Sequence, residues 1–107
     1  MTDFNDRQKG EERKFAMDAD TAFRVAARRN RLLGHWAAAL MDLGPEETEA
    51  YGKAVIQADF EEAGDEDVIR KVLGDLVSAG CDVDDAAVRA ALEEKSIEAR
   101  RQLMGEV

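Results

Sequence analysis

Three short interruptions divide an otherwise helix-favouring chain: Gly44-Pro45, Gly64-Asp65 and the stretch from Gly80 to Asp84. Each joins a residue that ends a helix to one that starts the next. Gly44 before the single proline reads as a C′ glycine followed by a proline in the first turn of a helix. Glu46, Glu47 and Glu49 then place negative charge at that helix's positive end. Gly64 and Gly80 close the next two segments, with Asp65 and Asp84 read as N-caps of the helices that follow. Composition agrees: 18 alanines stand against only 14 Val, Ile and Thr together, which favours helix over strand. The expected fold is all-α, a four-helix bundle over 18–107 with helices near 18–42, 45–63, 66–79 and 85–104. The short linkers make successive helices antiparallel neighbours.

Apolar periodicity predicts which faces turn inward. In the first helix, capped by Asp18 or Asp20, Phe23, Ala26, Asn30, Leu33, Ala37, Leu40 and Met41 share one face, with Trp36 at its edge. The second helix carries two stripes, Tyr51-Val55-Ala58 and Ile56-Phe60-Ala63, and so needs neighbours on two sides. Val68, Ile69, Val72, Leu73, Leu76 and Ala79 form the cleanest amphipathic face, in the third. Val88, Ala91, Leu92, Ala99 and Leu103 do the same in the fourth, with Val83 and Val88 placed as a hydrophobic staple.

Several classes of function drop out. A net charge of -9 argues against a general nucleic-acid or anionic-membrane binder. One cysteine, Cys81, excludes an internal disulfide, and with the lone His35 it excludes a Cys/His zinc site. No apolar run reaches the length of a membrane span and the charged N-terminus lacks a signal-peptide core, so a cytoplasmic protein without direct membrane contact is expected. Nothing resembles a phosphate loop or a nucleophile–base pair, and an enzyme is not expected. The acidic run Asp59–Asp67 lacks the ligand spacing of a calcium loop. His35 reads as an exposed side chain, Cys81 as a small apolar one, and Trp36 and Tyr51 as packing anchors.

The charge is unevenly spread. Residues 21–41 carry +4 with no acid, whereas residues 42–67 carry -9. Arg24, Arg28, Arg31 and His35 align at helical spacing in the basic block. The stripe reads either as a solvated face compensating the acidic second helix or as an anion site. Asn30, on the apolar face, either fixes helix register through a buried hydrogen bond or contacts a ligand. Together Arg24, Arg28, Asn30 and Arg31 form a candidate ligand or docking stripe; no cofactor is expected, weak nucleotide binding being the open alternative.

Residues 1–17 stand apart as a flexible arm. They are charged, interrupted by Gly10, and too short to hold a helix alone. Phe4 and Phe15 lie eleven residues apart, close to three whole turns, and would share one helical face with Gln8 and Glu11. Such a segment can order against a partner groove, reaching about 20 Å as a helix.

Four stretches resemble the zeta subunit family, small inhibitors of the F-type ATP synthase of alpha-proteobacteria. They are Phe4-Asn5-Asp6-Arg7, Lys14-Phe15-Ala16, the run Ala27–Ala38 (ARRNRLLGHWAA) and the run Ala58–Val68. The resemblance implies a four-helix domain with a mobile N-terminal segment. That segment would enter a catalytic αβ interface of the synthase head against the γ stalk, become helical and block hydrolytic rotation, with the bundle as a docking handle. It places the inhibitory contacts at Phe4, Arg7, Lys14 and Phe15. It also implies a protein that is a monomer when free and peripheral to the inner membrane through the synthase. Gly10 and Glu11 depart from the family pattern, which has alanine and an aromatic there, so weak inhibition is expected. The alternative function is a nucleotide- or small-ligand-responsive helical adaptor, in which the arginine stripe matters and the arm does not.

Overall fold

The computed structural model describes residues 18–59 and 64–105. They form four α-helices: α1 (Ala19–Leu40), α2 (Pro45–Ala58), α3 (Glu66–Ser78) and α4 (Asp85–Met104). The fold is all-α. The arm, 1–17, and the end of the second expected helix, 60–63, lie outside the described residues.

Local chemistry explains most of the ends. Asp18 caps α1, its Oδ1 accepting from the Thr21 backbone N–H at 2.7 Å. This bond holds the Asp18 carboxyl below the usual range. Asp84 caps α4 in the same way, accepting from Ala87 N–H at 2.9 Å. At the end of α3, Gly80 turns left-handed at φ +85°, while Cys81 N–H reaches the Leu76 carbonyl and Gly80 N–H that of Val77. This pair of bonds satisfies two carbonyls that the helix end would otherwise orphan.

Two boundaries differ from the expectation. The left-handed residue after α1 is Asp42, φ +62°, not Gly44. Asp42 and Leu43 donate to Ala39 and Ala38 in the same double-bonded closure that Gly80 makes. Gly44 is instead the N-cap of α2, extended at φ -74°, with its N–H donating to the Glu47 side chain at 3.1 Å. Asp65 does not cap α3 with its side chain; its carboxylate is drawn away to Arg29 at 3.0 Å. The described part of the second helix stops at Ala58, where Asp59 turns.

The core gathers all four helices: Leu33 and Ala37 from α1, Val55 from α2, Val68, Ile69, Val72 and Leu76 from α3, and Val88, Ala91 and Leu92 from α4. Trp36, Tyr51, Leu73 and Val83 pack at its margin. Helix α1 touches every other helix, α2 and α4 most extensively. The expected inner face of α1 is too broad at its ends, because Phe23 and Leu40 are half-exposed. Leu103 and Ala79 are exposed as well. For Phe23, Leu40 and Leu103 the reason is length: α1 and α4 have 22 and 20 residues, α2 and α3 only 14 and 13. At about 1.5 Å per residue the shorter pair cannot cover both ends of the longer pair.

Helices α1 and α2 cross at close range. Gly34 is fully enclosed, and a methyl group built on it would lie 2.8 Å from the Gly52 Cα. Two glycines facing each other bring the backbones together. They also draw His35 against α2, so that its ring is only about a third exposed and its Nε2 is buried. His35 is therefore a contact residue of the crossing, not the exposed side chain expected. Its Nε2 stands 3.6 Å from Glu49 Oε1, beyond hydrogen-bond length.

Candidate functional site

The arginine stripe occupies one side of α1, but its members do different things. Arg24 pairs with Asp20 one turn earlier at 3.2 Å. Arg31 reaches across to α2, donating to both oxygens of Glu49 at 3.0 Å, which holds the Glu49 carboxyl below its ordinary range. Among the described residues Arg28 meets no carboxylate. Its Nη1 donates instead to the neutral Gln102 Oε1 on α4 at 2.7 Å. Charge compensation by the acidic second helix thus accounts for Arg31 alone.

These three guanidinium groups rim an open groove of about 390 Å³ between α1, α2 and α4. Its floor is apolar: Ala27, Ile56 and Leu103, with Phe23 at one edge. The groove exists because α1 and α4 overrun their shorter neighbours, leaving apolar side chains beside the arginines.

Asn30 is not on this rim. It is 1% exposed and lines an adjoining recess of about 20 Å³, roughly the size of one water, with Phe23, Ala26, Ala27, Ile56 and Asp59. Its Oδ1 accepts from Arg29 Nε at 3.0 Å, which fixes the amide orientation because Arg29 is only a donor. Its Nδ2 has no partner. The bond runs to the adjacent residue of its own helix, so Asn30 does not set register against a neighbouring helix.

The residue that spacing arguments passed over is Arg29. Its side chain is only 12% exposed, and it pairs with Asp59 at 3.6 Å and Asp65 at 3.0 Å. It straps the end of α2 and the start of α3 to α1, and it orients Asn30. The signal was available: Arg29 precedes Asn30 in an acid-free block and lies off the arginine stripe, while the acidic corner needs a counter-charge. Arg29→Ala is expected to cost about 1 kcal/mol, its partners being partly solvated. Urea unfolding of Arg29→Ala, Asp65→Ala and the double variant measures the coupling directly; additive losses would show the strap to be idle.

The other described carboxylates of the acidic corner, Glu66 and Asp67, are also engaged. Glu66 takes two hydrogen bonds from Arg89 at 2.8 and 2.9 Å, joining α3 to α4. These hold the Glu66 carboxyl low and push the Arg89 guanidinium high, with Asp85 as the second partner of Arg89. Asp67 pairs with Arg70 at 2.7 Å. Among the described residues no group of His, Cys, Asp and Glu is arranged to hold a metal ion, and no helix is long and apolar enough to cross a membrane. Tyr51 donates to Asp75 Oδ2 at 2.7 Å; burial and then that carboxylate push its phenol well above the ordinary range. The expected arm contacts Phe4, Arg7, Lys14 and Phe15 lie outside the described residues.

Comparison with known proteins sets this geometry in a family. The family model described as ATPase inhibitor subunit zeta matches residues 1–102. The chain belongs to that family. A solution NMR structure of a protein 47% identical in sequence superposes with a TM-score of 0.69, covering 79% of this chain and 96% of that one. No match was found among curated protein sequences. The zeta-family match spans the arm and all but the last two residues of α4, so it takes in both the segment expected to inhibit and the bundle that carries it. Membership gives the chain a regulatory role as an ATPase inhibitor, with the ATP synthase as partner.

Proposed function

We propose that this zeta-family protein inhibits ATP hydrolysis by the F-type ATP synthase through residues 1–17. The arm folds as a helix into a catalytic αβ interface against the γ stalk, and thereby blocks hydrolytic rotation. Phe4 and Phe15 supply its apolar face, and Arg7 and Lys14 its flanking charges. The bundle performs no chemistry and carries the arm. The observation that carries this reading is the family match from residue 1, which includes the arm as well as the folded domain. The Asp18 cap supports it, because α1 begins at a defined point directly after the arm.

The test compares the full chain with a chain lacking residues 1–17 in ATP hydrolysis by the isolated synthase head, with circular dichroism to check helix content. The full chain is expected to suppress hydrolysis, and the truncated chain to leave it at the uninhibited rate. A truncated chain that inhibits equally well sinks the proposal. Truncation without effect, together with nucleotide-induced shifts at Arg28 and Asn30, favours the adaptor alternative instead.

A further inference from the structure

We propose that the arginine-rimmed groove is the surface by which the bundle docks, and that its occupant is an acidic protein segment with an apolar side chain between its carboxylates. The inference rests on the inhibitory reading above and names the second contact that reading leaves open.

Charge complementarity identifies the occupant. Arg24 and Arg31 are each neutralised by a carboxylate, yet Arg28, between them, is bonded among the described residues only to a neutral amide. That leaves a guanidinium without a described counter-charge beside the apolar side chains of Ala27, Ile56 and Leu103. Among the described residues no carboxylate offsets the positive charge of Arg28. A partner carboxylate would do so, in the bidentate geometry the guanidinium fork favours. The floor of Ala27, Ile56 and Leu103 would bury an apolar side chain of the same segment. A segment with both features reads the groove as a helix-in-groove ligand reads its receptor.

Position supports the same conclusion. Arg24 stands six residues after Asp18, about 9 Å along the helix axis. A partner held in the groove therefore lies beside the point where the arm leaves α1. Docking the bundle raises the local concentration of the arm at its target, so two weak contacts combine into a tight one.

The test uses the full-length chain, labelled at its C-terminus, and its cognate ATP synthase head. Affinity is read by fluorescence anisotropy, and hydrolysis is followed in the same samples. Arg28→Glu is expected to weaken binding at least tenfold while hydrolysis at saturation stays fully suppressed. Arg28→Lys, which keeps the charge, should lose less than threefold. Arg101→Glu makes the same charge change on the side of α4 away from Leu103 and should stay within twofold of the parent. Raising KCl from 50 to 300 mM should weaken the parent more than Arg28→Glu. Equal affinities for the parent and Arg28→Glu overturn the proposal, whether or not millimolar ADP shifts the Arg28 resonances. Equal losses in Arg28→Glu and Arg101→Glu overturn it too, since the effect would then be net charge alone. Anisotropy decides the docking surface and hydrolysis decides the inhibitory reading, so either can fail without the other.

Discussion

Gly34→Ala is expected to destabilise the fold by about 2 kcal/mol, net of the helix propensity that alanine brings. The added methyl would sit 2.8 Å from the Gly52 Cα. That atom is backbone and cannot rotate away, so α1 and α2 must separate by nearly 1 Å. Separation loosens every contact along the crossing, including those of the fully buried Leu33 and Val55 beside it. Two companion variants isolate the cause. Gly52→Ala meets the His35 ring at 3.2 Å and Arg31 Cγ at 3.4 Å, both side-chain atoms that can shift. It should cost less than Gly34→Ala and be offset in part by the gain in propensity. Gly74→Ala meets nothing within 4 Å on an exposed face of α3, and should stabilise by about 1 kcal/mol. Chemical denaturation of the three proteins therefore orders one identical substitution from loss to gain. If Gly34→Ala were as stable as Gly74→Ala, the close crossing would be refuted.

That ordering also marks how far the sequence could be read. The caps at Asp18 and Asp84 and the glycine after α3 depend on residues within one turn, so local chemistry is enough to place them. Core positions in α3 and α4 follow from periodicity, because those helices bury one face each. The misreadings share a different origin. Asp65 has the right type and position for a cap, but a largely covered arginine 36 residues away competes for its carboxylate. Glycine outranks aspartate as a left-handed helix end, so Gly44 drew the assignment that belongs to Asp42. His35 falls on a polar stripe when α1 is viewed alone, and only the Gly34–Gly52 approach from a second helix covers it. Phe23, Leu40 and Leu103 continue the correct apolar stripes past the point where the shorter helices stop. The candidate stripe was legible as spacing, since Arg24, Arg28 and Arg31 do share one groove. The state of each arginine was not legible, because its partner is set by tertiary geometry. Asn30 belonged with Arg29 instead.

Replacing Gly10 with alanine and Glu11 with phenylalanine is expected to strengthen inhibition by about 30- to 150-fold. The proposed insertion requires the arm to be helical, and a glycine in a helix interior costs about 1 kcal/mol relative to alanine. At position 11 the side chain shares the helical face of Phe4 and Phe15, so insertion would carry a carboxylate into an apolar interface. Relieving that desolvation contributes about 1–2 kcal/mol more. The two changes act through different terms and should separate. Gly10→Ala alone is expected to lower the half-inhibitory concentration about fivefold, the equivalent of 1 kcal/mol, and it should also raise the helix content of a free peptide spanning residues 1–17. Glu11→Phe should leave the helix content of that peptide nearly unchanged and act only on inhibition. Titrating each variant into the synthase head during ATP hydrolysis measures both effects. Should Glu11→Phe fail to improve inhibition while Gly10→Ala succeeds, the arm would still act as a helix, but with a face other than that of Phe4 and Phe15 against its target. Should neither improve it, helical insertion would not be the step that limits inhibition. A loss of inhibition in both would place Gly10 and Glu11 themselves in the contact, and would reverse the reading of their departure from the family pattern.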